Sequence, residues 1–371
     1  MRILYITDAL AVWGGIERVL RDKMNYLVGH GYEVHVVTTD QGPHEIPYPL
    51  DYRIHFHDLG LQFHHQYRYH GIRRFFMFFE LERLFKKRLK EKLREVKPDI
   101  IVCIRVEFVN AIVDVKGTTP LVCESHSMCN AKRYEKASLW YRFKLSLSLR
   151  KLYQVDMMVA LTDGDAQDWK KYCKNVCVIP NVVHLNNTGI YSDCMSKKAI
   201  FAGRFSRQKD IESLFEIWKL VHLRHPDWEL NAYGEGEQWQ KYAELVKNAA
   251  INMHVYPPSP GIFDHYSESS ILLMTSLYEP FGLVLPEAMS CGLPVVAFDC
   301  PYGPANIITD GKDGFLIEGR DINAYADKVC LLIENVELRL KMGQAAILSS
   351  KRYDKSCIMY RWESLFEELS Y

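Results

Sequence analysis

The chain has 371 residues, with 46 basic side chains balancing 46 acidic ones. That length exceeds what one hydrophobic core usually organises, so two domains are expected, and the zero net charge argues against a nucleic-acid partner. The ten cysteines form no C-x-x-C pair, which favours free thiols in a reducing cytosol over a disulfide or zinc scaffold.

The first eight residues, Met1-Arg-Ile-Leu-Tyr-Ile-Thr-Asp8, read as an opening strand rather than a signal peptide. No apolar run reaches membrane-spanning length. A strand over 3–7 leads to a loop ending in Gly14-Gly15. An amphipathic helix over 16–27 follows, stopped by Gly29 and Gly31, and then a strand over 33–38. This is one βαβ unit, and its two glycines permit close backbone approach by a ligand at the helix start. A G-x-G-x-x-G fingerprint is absent, which disfavours a nicotinamide cofactor. A short strand is expected over 53–56.

From 67 to 97 the chain is basic and aromatic, with Arg73, Arg74, Phe75, Phe76, Phe78, Phe79 and Arg83 leading the run. Leu81, Leu84, Phe85, Leu89 and Leu93 recur at helical spacing. The segment reads either as a solvated surface helix or as an attachment face for an anionic membrane. A second basic run in the same half supports the membrane reading: Lys132, Arg133, Lys136, Arg142, Lys144, Arg150 and Lys151. Strands follow over 98–103 and 119–124. The latter ends at Ser125-His126-Ser127, placing His126 in a loop at a strand's carboxyl end. His64, His65 and His70 lack a third ligand at a fixed offset and read as loop residues, so no metal site is expected. After a strand over 155–160, Thr162-Asp163-Gly164-Asp165 could hold a metal but better fits an N-cap for a helix over 165–174. A last strand of this half lies over 176–179.

The polar stretch 182–196 has no periodicity and is the domain boundary. Beyond it a strand over 198–202 runs into Gly203-Arg204-Phe205-Ser-Arg207-Gln-Lys209-Asp210, ahead of a helix ending near 224. Cations at a helix start oppose its dipole unless an anion sits there, which points to a phosphate site. Arg204 suits a bidentate grip and Lys209 a point charge. Strands over 228–233 and 251–256 flank a helix over 238–248. The most informative stretch is Glu279-Pro-Phe281-Gly282-Leu283-Val-Leu-Pro-Glu287, between strands over 271–274 and 295–298. Strand, loop, helix and strand make a βαβ crossover, and ligands bind such units at the carboxyl end of the strand. Helix-start amides over 281–284 are candidate donors to a hydroxyl-rich or anionic ligand. Helices over 322–333, 336–348 and 353–369 close the chain.

The segment from Glu279 to Ala297 resembles the E-x7-E signature of the retaining GT-B glycosyltransferases of family 4, matching nearly every position. Gly14-Gly15-Ile-Glu17-Arg-Val resembles that family's donor-phosphate or acceptor loop. Gly203-Arg204 with Lys209 resembles its phosphate-gripping motif, although Asp210 stands where glycine is usual. Asn306 replaces a glutamate usual there. The resemblance implies an α/β fold: two Rossmann-like domains facing across a cleft, with a C-terminal helix crossing back to the first domain. Residues 1–182 with 353–371 would form the acceptor-side domain, and 197–350 the nucleotide-sugar domain.

The activity implied is transfer of a hexosyl or N-acetylhexosaminyl unit from a UDP-sugar to a glycan or lipid-linked glycan acceptor, in surface polysaccharide or lipopolysaccharide synthesis. It would occur in the cytoplasm, peripherally at an anionic membrane, with no metal or other cofactor. His126, Glu279, Arg204 and Lys209 would carry the reaction. Gly14, Gly15, Phe281, Gly282, Leu283 and Glu287 would join the latter three in holding the donor, with Glu287 on the ribose hydroxyls. A GT-B epimerase or phosphorylase, and a non-catalytic membrane-surface protein, stand as alternatives.

Overall fold

The computed structural model describes the backbone of residues 1–130 and 139–370. Of the second basic run, Lys132, Arg133, Lys136 and the Lys144 side chain lie outside the described residues. The chain forms two compact units, Met1–Val182 with Ile358–Tyr371, and Val183–Cys357.

The N-terminal unit is built on a parallel sheet of β1 (Arg2–Thr7), β2 (Glu33–Thr38), β3 (His55–Asp58), β4 (Ile100–Cys103), β5 (Leu121–Glu124), β6 (Met157–Ala160) and β7 (Val176–Val178). Their spatial order is β3-β2-β1-β4-β5-β6-β7. The central strands are apolar on both faces because helices cover both. Alternate residues of β1 go to opposite cores: Leu4 and Ile6 to one, Ile3 and Tyr5 to the other. Helix α1 (Gly15–Gly29) covers the second face with Leu20, Met24 and Leu27. Helix α2 (Gly71–Val96) covers the first with Leu81, Phe85 and Leu89. Trp362, Leu365 and Phe366 of the C-terminal helix (Lys355–Ser370) join α1 in the second core.

Two local expectations shift. The strand expected over 53–56 begins at His55, because Asp51 accepts bonds from both the backbone and the guanidinium of Arg53 and draws it into a turn. The helix after Thr162 is shorter than expected, Asp163–Trp169, and Thr162 caps it by accepting from the Asp165 amide at 3.3 Å. Asp165 is buried, taking the Cys129 amide and the Trp169 indole.

The C-terminal unit holds β8 (Lys198–Ala202), β9 (Glu229–Tyr233), β10 (Met253–Tyr256), β11 (Ile271–Met274), β12 (Val295–Phe298) and β13 (Gly314–Ile317), in the order β10-β9-β8-β11-β12-β13. The helix Ile211–Arg224 follows β8, and the short helix Val284–Ser290 follows β11. In each sheet the strand order reverses beside the first strand, at β1/β4 and at β8/β11. The carboxyl ends of such strand pairs are where open α/β sheets take ligands.

Candidate active site

The β8/β11 switch point gathers the residues singled out in the second half of the sequence. The loop after β8 carries Arg204 and Lys209, and the loop after β11 carries Glu279. Thr275 ties the two together by donating to the carbonyls of Lys209 and Asp210 at 2.9 and 3.1 Å. Glu279 is 4% exposed. Its Oε1 accepts from Lys209 Nζ and, at 2.7 Å, from Ser276 Oγ. Among the described residues Oε2 has no partner. The Glu279 backbone is fixed as well: its amide donates to Pro301, and its carbonyl accepts from Tyr302 and Gly303 at 2.8 and 2.9 Å. A side chain on Gly303 would collide with the Phe281 carbonyl, so the two loops meet only through glycine.

Arg204 is exposed, and among the described residues its guanidinium makes no hydrogen bond or ion pair. The loop beneath it packs backbone to backbone, since a side chain on Gly234 would strike the Gly203 carbonyl. Asp210 adopts the left-handed conformation that favours glycine, φ +50°. Its carboxylate makes that tolerable by capping Ser213 and binding Arg320. Arg320 also donates to the carbonyls of Thr275 and Ser276 at 3.0 and 2.9 Å. The departure from glycine thus keeps the backbone geometry and adds an anchor for the Glu279 loop.

Gly282 lies in the left-handed region at φ +94° and turns the chain into the helix that starts at Val284. Phe281 packs its ring edge-on against Tyr353 at 5.3 Å and is 2% exposed, so only its backbone is available to a ligand. Leu283 caps the helix, and its carbonyl takes the Glu287 amide at 3.2 Å. Glu287 is buried. Asn306 donates to the Tyr302 carbonyl at 2.8 Å, a local turn contact.

In the N-terminal unit the β1/β4 switch point opens on a cavity of about 360 Å³, lined among others by Asp8, Asp40, His64, Arg105, Glu107 and Phe108. Asp8 and Arg105 pair there. Gly14 caps α1, and a side chain on it would collide with the Glu17 carboxylate folded over it. Burial raises the Glu17 carboxyl above its ordinary range; Asp8 adds to this, while Arg105 and His126 oppose it. Glu17, Asp8, Arg105 and His126 therefore share one electrostatic neighbourhood.

His126 is 9% exposed. Its Nε2 lies 3.1 Å from Glu124 Oε1 but off the direction of a ring N–H bond. The other Glu124 oxygen accepts from Lys23 Nζ at 2.5 Å, and that ammonium sits 3.4 Å from the Trp362 ring centre. Burial pushes the Lys23 ammonium down to about 8 against the attraction of Glu124. Burial works to raise the Glu124 carboxyl, yet Lys23 and His126 outweigh it and hold it at about 2. At neutral pH the pair is charged.

Sequence reasoning did not find Lys23, Ser276, Arg320, Asp8 or Arg105. Lys23 had a readable signal: it falls on the buried face of α1, four residues after Val19 and four before Leu27. Arg320 had none, because its partners lie at least 44 positions away.

Residues 13–187 match the family model described as Glycosyltransferase Family 4, and residues 191–348 the model described as Glycosyl transferases group 1. The chain belongs to the group 1 glycosyltransferases of the GT-B type. It is 28% identical to the amylovoran biosynthesis glycosyltransferase AmsD of Erwinia amylovora, over 98% of this chain and 99% of AmsD. Among solved structures it is similar to Staphylococcus aureus TarM in complex with UDP (TM-score 0.78, 16% identity, 98% of this chain and 99% of TarM). It is also similar to Anabaena HepE with UDP (TM-score 0.75, 17% identity, 99% and 100%). This chain is therefore an enzyme, a nucleotide-sugar-dependent glycosyltransferase with the GT-B fold. That membership sets transfer above the epimerase, phosphorylase and non-catalytic alternatives.

Proposed function

We propose that this glycosyltransferase moves a hexosyl or N-acetylhexosaminyl unit from a UDP-sugar to a hydroxyl of a glycan or lipid-linked glycan, with retention at the anomeric carbon, in surface polysaccharide or lipopolysaccharide synthesis. One observation carries the reading: exposed Arg204, Lys209 and the buried Glu279 carboxylate sit together at the β8/β11 switch point. The similarity to AmsD, and the UDP in the TarM and HepE structures, agree with it.

When the donor's anomeric C–O bond breaks, its electron pair passes to the diphosphate. Arg204 grips two phosphate oxygens and Lys209 adds a point charge, so the developing negative charge is met without a metal. Glu279 accepts from sugar hydroxyls and Glu287 from the ribose, with the amides of Phe281, Gly282 and Leu283 alongside. The acceptor oxygen bonds to the anomeric carbon on the face the phosphate leaves, and the departing phosphate takes its proton. Gly14 and Gly15 join in holding the donor, the cavity at Asp8 and Arg105 receives the acceptor, and His126 orients it.

The test is product analysis with UDP-glucose, UDP-galactose, UDP-N-acetylglucosamine and GDP-mannose against lipid-linked acceptors. An α-linked product from an α-linked UDP-donor is expected, read from the anomeric proton coupling. A β-linked product would overturn retention, and turnover confined to GDP-mannose would overturn the UDP assignment.

Contact with an anionic membrane is the second part of the proposal. No described helix is long and apolar enough to cross a membrane. The first turns of α2 nevertheless leave Ile72 and Phe76 71% and 65% exposed, beside Phe75 and Phe79 and among Arg73 and Arg74. Aromatic side chains among cations suit a headgroup interface. Co-sedimentation with phosphatidylglycerol vesicles is expected, and should drop when Phe76 and Arg73 are changed to Ser and Gln. Unchanged sedimentation would make α2 an ordinary solvated helix.

A further inference from the structure

The outer edge of the N-terminal sheet carries a cluster that the transfer reaction does not use. Glu33 and His35 stand two residues apart on β2, so they point to the same face. His55, on the edge strand β3, is the register partner of His35, and His57 follows two residues on. The three imidazoles form one layer: His35 stacks on His55 with ring centres 4.5 Å apart and on His57 at 5.5 Å. His35 is buried, whereas Glu33 and His55 are exposed.

We propose that Glu33, His35 and His55 bind a divalent transition metal of the zinc class. One ligand atom from each, a carboxylate oxygen and two ring nitrogens, lies within 4.8 Å of the others. Glu33 Oε1 is 2.9 Å from His35 Nε2. Two ligands around a tetrahedral zinc, each about 2.0–2.1 Å from the ion, stand about 3.4 Å apart. The observed spacing is therefore close to coordinating distance, and a turn of the exposed His55 ring brings in the third donor. Two imidazoles and one carboxylate are a donor set that zinc accepts, with a fourth position left for water.

The surroundings support the ligands in the way metal sites require. His35 Nδ1 is 3.2 Å from His57 Nε2. With a metal on Nε2, the Nδ1–H of His35 donates to His57, which holds the ring and its tautomer in place. Arg2 Nε lies 3.5 Å from the other Glu33 oxygen, Oε2, and leaves Oε1 turned to His35. Because β3 has only four residues and, among the described residues, no further strand beyond it, a metal shared between β2 and β3 would fasten the edge of the sheet.

The test uses untagged, chelator-stripped protein titrated with Co²⁺ and then with Zn²⁺. One equivalent of Co²⁺ is expected to give the visible absorption of a four-coordinate nitrogen–oxygen site, displaced by Zn²⁺, and Zn²⁺ should raise the melting temperature. His55→Ala should abolish the band and the shift while leaving the metal-free melting temperature near wild type. Glu33→Gln should weaken Zn²⁺ binding, and His57→Ala should weaken it by about 10-fold through the lost support. His65→Ala, in the other histidine cluster, should change nothing. Absence of binding, binding unaffected by His55→Ala, or the near-ultraviolet band of a thiolate–cobalt complex would each overturn the proposal.

Discussion

Two lysine–glutamate pairs stand at the carboxyl ends of strands, one in each unit, and they differ in what surrounds them. Lys23 and Glu124 have side chains 1% and 2% exposed, under Trp362. Lys209 and Glu279 have side chains 15% and 6% exposed, beside Arg204, whose guanidinium is unpaired among the described residues. A sealed pair cannot exchange partners, because leaving either charge alone in the interior is costly. A pair at an open loop can release its lysine to an incoming phosphate and its carboxylate to a hydroxyl. The first pair therefore serves as framework for the strand that presents His126, and the second as a site.

The sealed pair should yield the largest effect. Lys23→Met strands a buried carboxylate and is expected to destabilise the N-terminal unit by about 3–5 kcal/mol. Adding Glu124→Leu removes that charge and should recover most of the loss, measured by urea unfolding of the single and double variants. If the double variant is no more stable than Lys23→Met, the pair is not the sealed charge described here.

The open pair should behave in the opposite way. Glu279→Ala and Lys209→Ala are each expected to lower kcat by roughly 10²–10³, with a smaller loss of stability than Lys23→Met because Ser276 still donates to Glu279 and the lysine is the more exposed of the two. Arg204→Ala should match them with little stability change, since its guanidinium has no partner among the described residues to lose. Near-native turnover in all three would remove the donor site from this loop cluster.

Acid separates the pairs further. Lys23 and His126 hold the folded Glu124 carboxyl below the ordinary value of 4.5, at about 2. In that window the unfolded chain binds more protons than the folded one, so the stability this group contributes is present above about 4.5 and is lost as pH falls toward 2. The double variant Lys23→Met with Glu124→Leu should lack this component in unfolding measured from pH 5 to pH 2.5.

The two units were not equally legible in the sequence. In the C-terminal unit the strands over 271–274 and 295–298 coincide with β11 and β12, because short, fully apolar runs between turns leave few alternatives. Glu279 stood out by its place in the loop after the first of these strands, and Arg204 and Lys209 as cations between the strand over 198–202 and a helix start. In the N-terminal unit His126 was visible at a strand end, but the Lys23 that steadies its neighbour was not, since a lysine on an amphipathic helix is by default a solvated one. Asp8 and Arg105 escaped for another reason: their pairing depends on β4 returning beside β1, and strand order is not written locally.

The smallest effect tests how closely the open site depends on its own framework. Asp210→Gly removes a cap, which to glycine costs only a few tenths of a kcal/mol. It also relieves the left-handed backbone, a gain of similar or larger size. Net stability should therefore stay within about 1 kcal/mol of wild type, whereas Asp210→Ala, which loses the cap of about 1 kcal/mol and keeps the strain, should fall further. Asp210→Gly also frees Arg320 from its carboxylate partner, loosening its hold on the Thr275 and Ser276 carbonyls ahead of Glu279. Donor KM should rise with kcat nearly unchanged, the signature of weakened ground-state binding rather than lost transition-state stabilisation. Unaltered donor KM would mean that Asp210 supplies backbone geometry alone, and that the open pair stands without Arg320.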